Sequence, residues 1–445
     1  MTRRQVLGAA AAGAAGLLLA GGIEEPAFAA TRQPDPHMPL PQPADSGIDH
    51  VIVLMMENRS FDHYLGWLPG ADGKQSGLSY PDDSGKRHAT YHLTTYQGCQ
   101  YNDPDHSYAG GRVEYNDGRC DGWLLDRAND IFCIGYYEAA DLAFYGQAAR
   151  YWTACDHYFA ATMGPTYPNR LYMHSAQTDR IDDSTTTSTL PTIWDSLAKA
   201  GVSHRYFFSD IPFTALWGAK YAGISEPLGE FLAGCASGRL PAVSFVDPRF
   251  EDEGSGTSGD DHPHADIRVG QSFINQIYEA VTSSPAWGRT VFVINYDEWG
   301  GFFDHVAPTT APDATPSNGL RGFRVPALVI SPRSRRGTVD HNTYDHTSIL
   351  KMIEWRWGLP ALTPRDAAAR NLAEVLDFRY PPDLTAPRWA VPTALPTPCP
   401  SAITGLAPSA PVAPTEHELT WSAVADLARA SGFTGVMSSH GEGNL

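Results

Sequence analysis

Apolar runs along the chain predict a buried β-sheet. The clearest runs cover residues 48–56, 290–296 and 325–330, and weaker ones cover residues 204–208 and 242–246. Continuous apolar character over this length is typical of strands that are buried on both faces. These segments are therefore predicted to be the core strands.

Amphipathic segments lie between those strands. Apolar residues recur at helical spacing in residues 191–200, 266–281 and 347–357, and Gly201 stands where the first of these helices should end. Helices that alternate with apolar strands are typical of an α/β fold with a mostly parallel sheet flanked by helices. Ligands of such sheets bind beyond the carboxyl ends of the strands, so the polar residues that follow each strand are the candidate site.

The N-terminal segment has the features of an export signal. Arg3 and Arg4 form a twin-arginine pattern, an apolar stretch rich in Ala and Gly covers residues 6–22, and Ala27 and Ala29 mark a small-residue cleavage site. A membrane anchor is the alternative, but so short a run rich in Gly and Ala is a poor bilayer span. We expect a Tat signal peptide over residues 1–30 and a secreted or cell-envelope protein.

The rest of the chain divides by composition. Residues 31–47 predict a Pro-rich spacer, residues 48–380 one catalytic domain, and residues 381–445 a Pro/Ala-rich extension packed on that domain, with a helix over residues 415–432. The net charge of -18 opposes binding to nucleic acid. The six cysteines predict one or more disulfides, but their spacing does not choose among the possible pairings.

Two predicted strand ends carry pairs of oxygen ligands. Glu57 and Asn58 follow the first strand, and Asp297 and Glu298 follow the strand at residues 290–296. Each pair alone could cap a helix or lie in a solvated turn, but together the carboxylates would repel one another without a cation. Oxygen-only ligands favour Ca²⁺, Mg²⁺ or Mn²⁺ over Zn²⁺. The sequence therefore predicts one divalent metal ion at this edge of the sheet.

A hydroxyl residue stands in a Gly-Pro segment. Thr166 follows Gly164 and Pro165, and Arg170 lies four residues further on. Threonine is a weak nucleophile unless a base or a metal lowers its pKa, and such a segment by itself is typical of an ordinary turn. Thr166 is a candidate nucleophile only in combination with the predicted metal ligands.

Five sequence motifs follow one another between Asp49 and Trp357. They are Glu57-Asn58-Arg59-Ser60-Phe61-Asp62, Thr166-Tyr167-Pro168-Asn169-Arg170, Asp261-His262-Pro263, Asp297-Glu298 with Asp304-His305-Val306, and Gly322-Phe323-Arg324-Val325-Pro326. In this order they resemble the phosphoesterase family, which holds bacterial and plant non-specific phospholipases C and a related group of acid phosphatases. The resemblance implies an alkaline-phosphatase-like three-layer sandwich with a central, mostly parallel sheet.

The resemblance also implies roles for single residues. Glu57, Asn58, Asp297 and Glu298 correspond to metal ligands, and Thr166 corresponds to a nucleophile that also contacts the metal.

Two histidines correspond to active-site residues of the family. By resemblance His106 and His262 contact the phosphoryl group or the leaving oxygen, although either could be a structural histidine. His264 competes with its neighbour His262 for this role. His305, Asp345 and His346 are weaker candidates, and no role is assigned to them.

Together these residues predict a phosphoric ester hydrolase. We expect Thr166 to attack phosphorus, a histidine to protonate the departing alcohol, and water to hydrolyse the phosphothreonine. The expected substrate is a phosphatidylcholine-type lipid, which yields diacylglycerol and a phosphorylated headgroup during transient contact with a membrane surface.

Other functions remain alternatives to a phospholipase C. An acid phosphatase would act on small phosphomonoesters with the same residues. A sulfatase is disfavoured because threonine cannot supply the aldehyde that sulfatases make from Cys or Ser. An exported metal- or phosphate-binding protein would not need the hydroxyl of Thr166.

Overall fold

The computed structural model describes residues 39–399 and 416–436, so the predicted signal peptide and part of the predicted spacer lie outside it. The strands in these ranges are β1 His50–Met56, β2 Ser79–Pro81, β3 Arg87–Ala89, β4 Tyr91–His92, β5 Gly135–Tyr136, β6 Thr153–Cys155, β7 Tyr158–Phe159, β8 His204–Phe208, β9 Ser225–Pro227, β10 Val243–Asp247, β11 Thr290–Tyr296, β12 Leu328–Ile330, β13 Thr338–Asp340 and β14 Tyr344–Asp345. The α-helices are α1 Phe61–Leu65, α2 Gly110–Tyr115, α3 Tyr145–Tyr151, α4 Thr166–Ser175, α5 Ile193–Lys199, α6 Leu228–Ser237, α7 Ile267–Ser283, α8 His346–Trp357, α9 Pro364–Ala368 and α10 Glu416–Ala430.

The predicted elements are present. Strands β1, β8, β10, β11 and β12 coincide with the five apolar runs, and helices α5, α7, α8 and α10 coincide with the predicted helical segments, to within two residues at each end except where a strand or helix is shorter than predicted. Polar side chains begin these helices: the carboxylate of Asp266 accepts from the backbone N–H of Arg268 at the start of α7, and Thr192 and Asp195 form a capping box on α5.

The central sheet is mostly parallel. In the described part of the chain it contains eight strands in the order β13-β6-β12-β11-β1-β10-β8-β9. Neighbouring strands are parallel except at β12, which runs antiparallel to β11 and β6. The predicted α/β fold with a mostly parallel sheet flanked by helices is confirmed. Strand β12 is shorter than the apolar run predicts, because Pro326 has no N–H to donate to a neighbouring strand.

Strand β1 lies in the middle of the sheet between β10 and β11. Met56 pairs with Tyr296, and Leu54 pairs with Val246. Because all three strands are parallel and in register, their carboxyl ends meet at one edge of the sheet. This edge is where the structure brings the polar residues together.

The C-terminal part of the chain packs against the domain. The hydroxyl of Tyr278 donates to the carbonyl of Pro387 (2.9 Å), and the ring of Trp389 stacks on that of Tyr278 at 5.0 Å. A disulfide joins Cys99 to Cys399, which resolves one of the pairings that the sequence leaves open. Within the described ranges, none of the helices has the length and apolar character that a membrane crossing requires.

Candidate active site

The two predicted pairs of oxygen ligands lie side by side at the carboxyl ends of β1 and β11. Glu57, Asn58, Asp297 and Glu298 are all fully buried. The backbone N–H of Asn58 donates to Oδ1 of Asp297 (3.3 Å), and the N–H of Glu298 donates to the same oxygen (2.7 Å). The turn that aligns them has φ 59° at Asn58, a left-handed conformation that asparagine adopts more readily than most residues.

Arg170, noted in the sequence for its spacing from Thr166 but given no role, connects the two pairs. Nε of Arg170 lies 3.1 Å from Oε1 of Glu57 and 3.0 Å from Oδ2 of Asp297, and Nη1 lies 3.3 Å from Oδ1 of Asp247 at the end of β10. Burial opposes the charge of Arg170, but the carboxylates of Asp297, Glu57 and Asp247 outweigh it and hold the guanidinium pKa above its usual value. Arg170 therefore joins the ends of three neighbouring strands.

Thr166 begins a helix, so its interpretation as part of an ordinary turn is wrong. It is the first residue of α4 and is fully buried. The side-chain amide of Asn169 donates to the carbonyls of Gly164 (2.8 Å) and Pro165 (3.1 Å), which fixes the segment that leads into the helix. Residues four apart share a helix face. The Thr166 to Arg170 spacing thus places the hydroxyl on the face of α4 that contacts the carboxylates.

The predicted ligands fit a divalent cation. Oε2 of Glu57, Oδ1 of Asn58 and Oε1 of Glu298 are buried, and among the described residues none of them accepts a hydrogen bond from an N–H or hydroxyl group, although the carboxyl groups of Glu57 and Glu253 lie within hydrogen-bond range of each other. Burial, followed by the charge of Glu253, raises the pKa of Glu57 well above its usual value, and burial chiefly raises that of Glu298. Buried carboxylate oxygens without donors are costly unless a cation compensates them, and all the donor atoms here are hard oxygens. The residues present therefore suit the predicted type of metal ion.

Both predicted histidines lie at this site. Nδ1 of His106 donates to the carbonyl of Pro104 (2.8 Å), so its Nε2 accepts from the side-chain amide of Asn58 (3.4 Å). This contact turns the amide oxygen of Asn58 away from the ring. Nε2 of His262 lies 3.6 Å from Oδ2 of Asp103, and the two imidazole rings are 6.1 Å apart.

His264 makes a different contact from His262. Its Nε2 lies 3.2 Å from the backbone carbonyl of Tyr101, to which it donates. The backbone of His262 is held by Arg59, whose guanidinium donates to the carbonyls of Asp261 (2.7 Å) and His262 (3.3 Å). The geometry therefore favours His262 over His264 as the second active-site histidine.

The remaining motif residues support the loops around the site. Nε2 of His346 donates to the carbonyl of Asp297 (2.6 Å), and burial lowers the pKa of this imidazole to about 4. Nδ1 of His305 lies 2.5 Å from the buried carboxylate of Asp62, which also pairs with Arg324. Asp345 caps α8 and forms ion pairs with Arg321 and Arg365.

Two further acids at the site were missed by sequence reasoning. Glu253 and Asp260 lie on the loop between β10 and α7, and each has an oxygen within 4.8 Å of a Glu57 oxygen. The backbone N–H of Glu57 donates to the carbonyl of Asp260 (2.8 Å), which holds this loop against the end of β1. The only sequence signal was the position of Asp260 next to the motif Asp261-His262-Pro263.

Comparisons with known proteins agree with these motifs. A family model described as "Phosphoesterase family" matches residues 48–360. Among solved structures, a protein in the alkaline phosphatase superfamily from Vibrio parahaemolyticus matches with a TM-score of 0.32 and 12% identity over 77% of this chain and 72% of that chain. Phospholipase C B of Mycobacterium tuberculosis is 35% identical over 498 aligned residues, covering 91% of this chain and 92% of that protein. Non-specific phospholipase C6 of Arabidopsis thaliana is 30% identical, covering 79% and 75%.

Proposed function

Because this chain belongs to the phosphoesterase family and is a phosphoric ester hydrolase, we propose that it is a phospholipase C that cleaves phosphatidylcholine-type lipids. The products are diacylglycerol and a phosphorylated headgroup. The main observation behind the proposal is that buried Arg170 forms ion pairs with the acids at the strand ends, Glu57 and Asp297. Arg170 lies about one helical turn from Thr166 on the same helix. Export by the Tat pathway is part of the proposal and rests on Arg3 and Arg4, which lie outside the described residues.

We assign the metal site to the five predicted ligands. They are Glu57, Asn58, Thr166, Asp297 and Glu298. A bound divalent ion supplies Lewis-acid chemistry, because it neutralises phosphoryl oxygens and lowers the pKa of a hydroxyl. The buried oxygens described above, which accept from no N–H or hydroxyl group of the described residues, support this assignment.

The protein residues divide the chemical steps among them. The hydroxyl oxygen of Thr166 attacks phosphorus, and the bond from phosphorus to the lipid alcohol breaks. The carboxylates of Asp103 and Glu253 beside His262 favour a protonated imidazole at this position. Nε2 of His106 instead faces the side-chain N–H of Asn58, which can only donate, so this nitrogen carries no proton. We therefore assign protonation of the leaving oxygen to His262 and positioning of Asn58 to His106. Water then attacks the phosphothreonine and restores Thr166.

The charge of the protein supports a zwitterionic lipid as the substrate. The net charge of -18 opposes approach to an anionic bilayer, while a phosphatidylcholine surface carries no net charge. Two relatives named as phospholipases C, at 35% and 30% identity, favour a phospholipid substrate over a small monoester.

The substrate assignment is tested by comparing kcat/KM for phosphatidylcholine vesicles and for an aryl phosphate monoester with one enzyme preparation. We expect the vesicles to be preferred. A preference for the monoester of more than about tenfold, roughly 1.4 kcal/mol of transition-state discrimination, would show an acid phosphatase instead.

The metal site is tested with Asp297→Asn and Glu57→Gln. Each change removes one negative charge from the ligand set, so we expect weaker metal binding as well as slower turnover. Elemental analysis after mild chelation measures the first effect independently of catalysis. Asp252→Asn, on an exposed side chain, is the control and should bind metal as the wild type does. Wild-type metal affinity in both site variants would refute the ligand assignment.

A further inference from the structure

A second group of acids adjoins the proposed metal site on the side of the loop between β10 and α7. One carboxylate oxygen from each of Glu57, Glu253 and Asp260 lies within 4.8 Å of the others. All three side chains are buried, with at most 1% of their surface exposed. Glu57 belongs to this group and to the first site, so it lies between the two.

Two of these acids direct one oxygen to an N–H or hydroxyl donor, and both also lie within hydrogen-bond range of the carboxyl group of Glu253. Oε1 of Glu57 accepts from Arg170, while its Oε2 receives no hydrogen bond from an N–H or hydroxyl group of the described chain. Oδ1 of Asp260 accepts from the hydroxyl of Ser258 (2.7 Å) and the backbone N–H of His262 (2.9 Å). Oδ2 of Asp260 is buried and, among the described groups, receives no such donor. In both carboxylates, hydrogen bonds to one oxygen fix the orientation of the side chain, and the other oxygen faces the neighbouring acids.

Carboxylates outnumber cations at this edge of the sheet. Among the described residues, six buried carboxylates meet here around the single guanidinium of Arg170: Glu57, Asp247, Glu253, Asp260, Asp297 and Glu298. Buried carboxylates packed this closely are costly unless a cation or a shared proton lies between them.

We propose that Glu57, Glu253 and Asp260 hold a second divalent cation beside the first, with Glu57 as the bridging carboxylate. The inference rests on the first metal site proposed above. Its ligands are hard carboxylate oxygens, which suit Mn²⁺ or Mg²⁺. In two-metal phosphoryl-transfer sites, ions about 3.5–4 Å apart stabilise the attacking and the leaving oxygen together.

The test is the number of ions bound by the chelator-treated full chain, titrated with Mn²⁺ alone by calorimetry and counted by elemental analysis. We expect two equivalents for the wild type and one for Glu253→Gln and for Asp260→Asn. Asp252→Asn lies on the same loop with its side chain 53% exposed, and should keep two equivalents. Circular dichroism of each variant confirms folding before the titration.

A spectroscopic measurement on the wild type keeps the test independent of the variants. Two Mn²⁺ ions bridged by Glu57 should give an exchange-coupled electron paramagnetic resonance spectrum, and Glu253→Gln should give that of an isolated ion. One equivalent in the wild type, or two in both site variants, would overturn the second site. One equivalent would indicate that a proton shared with Glu253 balances the charge instead. Because no substrate is present, failure of phosphatidylcholine hydrolysis leaves this result unchanged, while zero equivalents would overturn both metal sites.

Discussion

Replacing Thr166 by alanine is expected to lower kcat by about 10⁴-fold or more, by comparison with other deletions of a nucleophile. A methyl group cannot form the phosphothreonine intermediate. Thr166→Ser keeps a hydroxyl at the same position and should retain part of the activity. The measurement is kcat on phosphatidylcholine vesicles for the three proteins at equal metal loading.

Two further observations separate a nucleophile from a structural residue. The side-chain amide of Asn169 donates to the carbonyls of Gly164 and Pro165, and these contacts do not depend on the side chain at position 166, so Thr166→Ala should keep its fold. Intact-protein mass spectrometry after acid quench should detect a phosphoryl group on the wild type and none on Thr166→Ala. Turnover of the alanine variant within about tenfold of the wild type, roughly 1.4 kcal/mol, would rule out the proposed role.

The strand-end part of the site could be predicted because it depends on sheet geometry. Runs of apolar residues located β1 and β11, and parallel strands necessarily present their carboxyl ends at the same edge. Glu57, Asn58, Asp297 and Glu298 therefore could be placed together before any coordinates were known. Their contacts with one another follow from the pairing of Met56 and Tyr296 one residue earlier.

Helix α4 could not be predicted from its sequence. Gly164, Pro165 and Pro168 are typical of turns and loops, yet proline is tolerated in the first turn of a helix, where backbone N–H groups have no partner in the helix. Without the helix, the spacing between Thr166 and Arg170 had no structural meaning. The ion pairs of Arg170 with three different strands were consequently not predictable from the motif alone.

Loop residues were harder still to place. Glu253 and Asp260 follow no strand directly, and their position depends on long-range contacts such as the hydrogen bond from the N–H of Glu57 to the carbonyl of Asp260. The same holds for His346, a candidate to which the sequence gave no role and whose contact with the site is a hydrogen bond to the backbone carbonyl of Asp297. The sequence shows which acidic residues such a loop contains, but only tertiary contacts determine which of them lie at the site.

Replacing Arg170 by methionine is expected to destabilise the metal-free protein by about 3–5 kcal/mol, the cost of removing one partner from a buried ion pair. The change leaves the carboxylates of Glu57, Asp247 and Asp297 buried without their cation. Urea unfolding in the presence of chelator measures the free energy of unfolding. Arg205→Met is the matched control, because the side chains of Arg205 and its partner Glu226 are 39% and 38% exposed, and exposed ion pairs contribute only about 0–1 kcal/mol.

The loss caused by Arg170→Met should also depend on pH. Burial raises the pKa of Glu57 and of Asp247, and the charge of Arg170 partly offsets that rise. Without Arg170 both folded-state pKa values rise further above the unfolded ones. An acid whose pKa is raised by folding binds more protons in the folded state, so its effect on stability becomes more unfavourable as pH rises. The destabilisation should therefore be larger near about pH 8 than near about pH 5. An equal loss at both pH values, or a loss no greater than that of Arg205→Met, would contradict the assignment of Arg170 as the cation that these buried acids share.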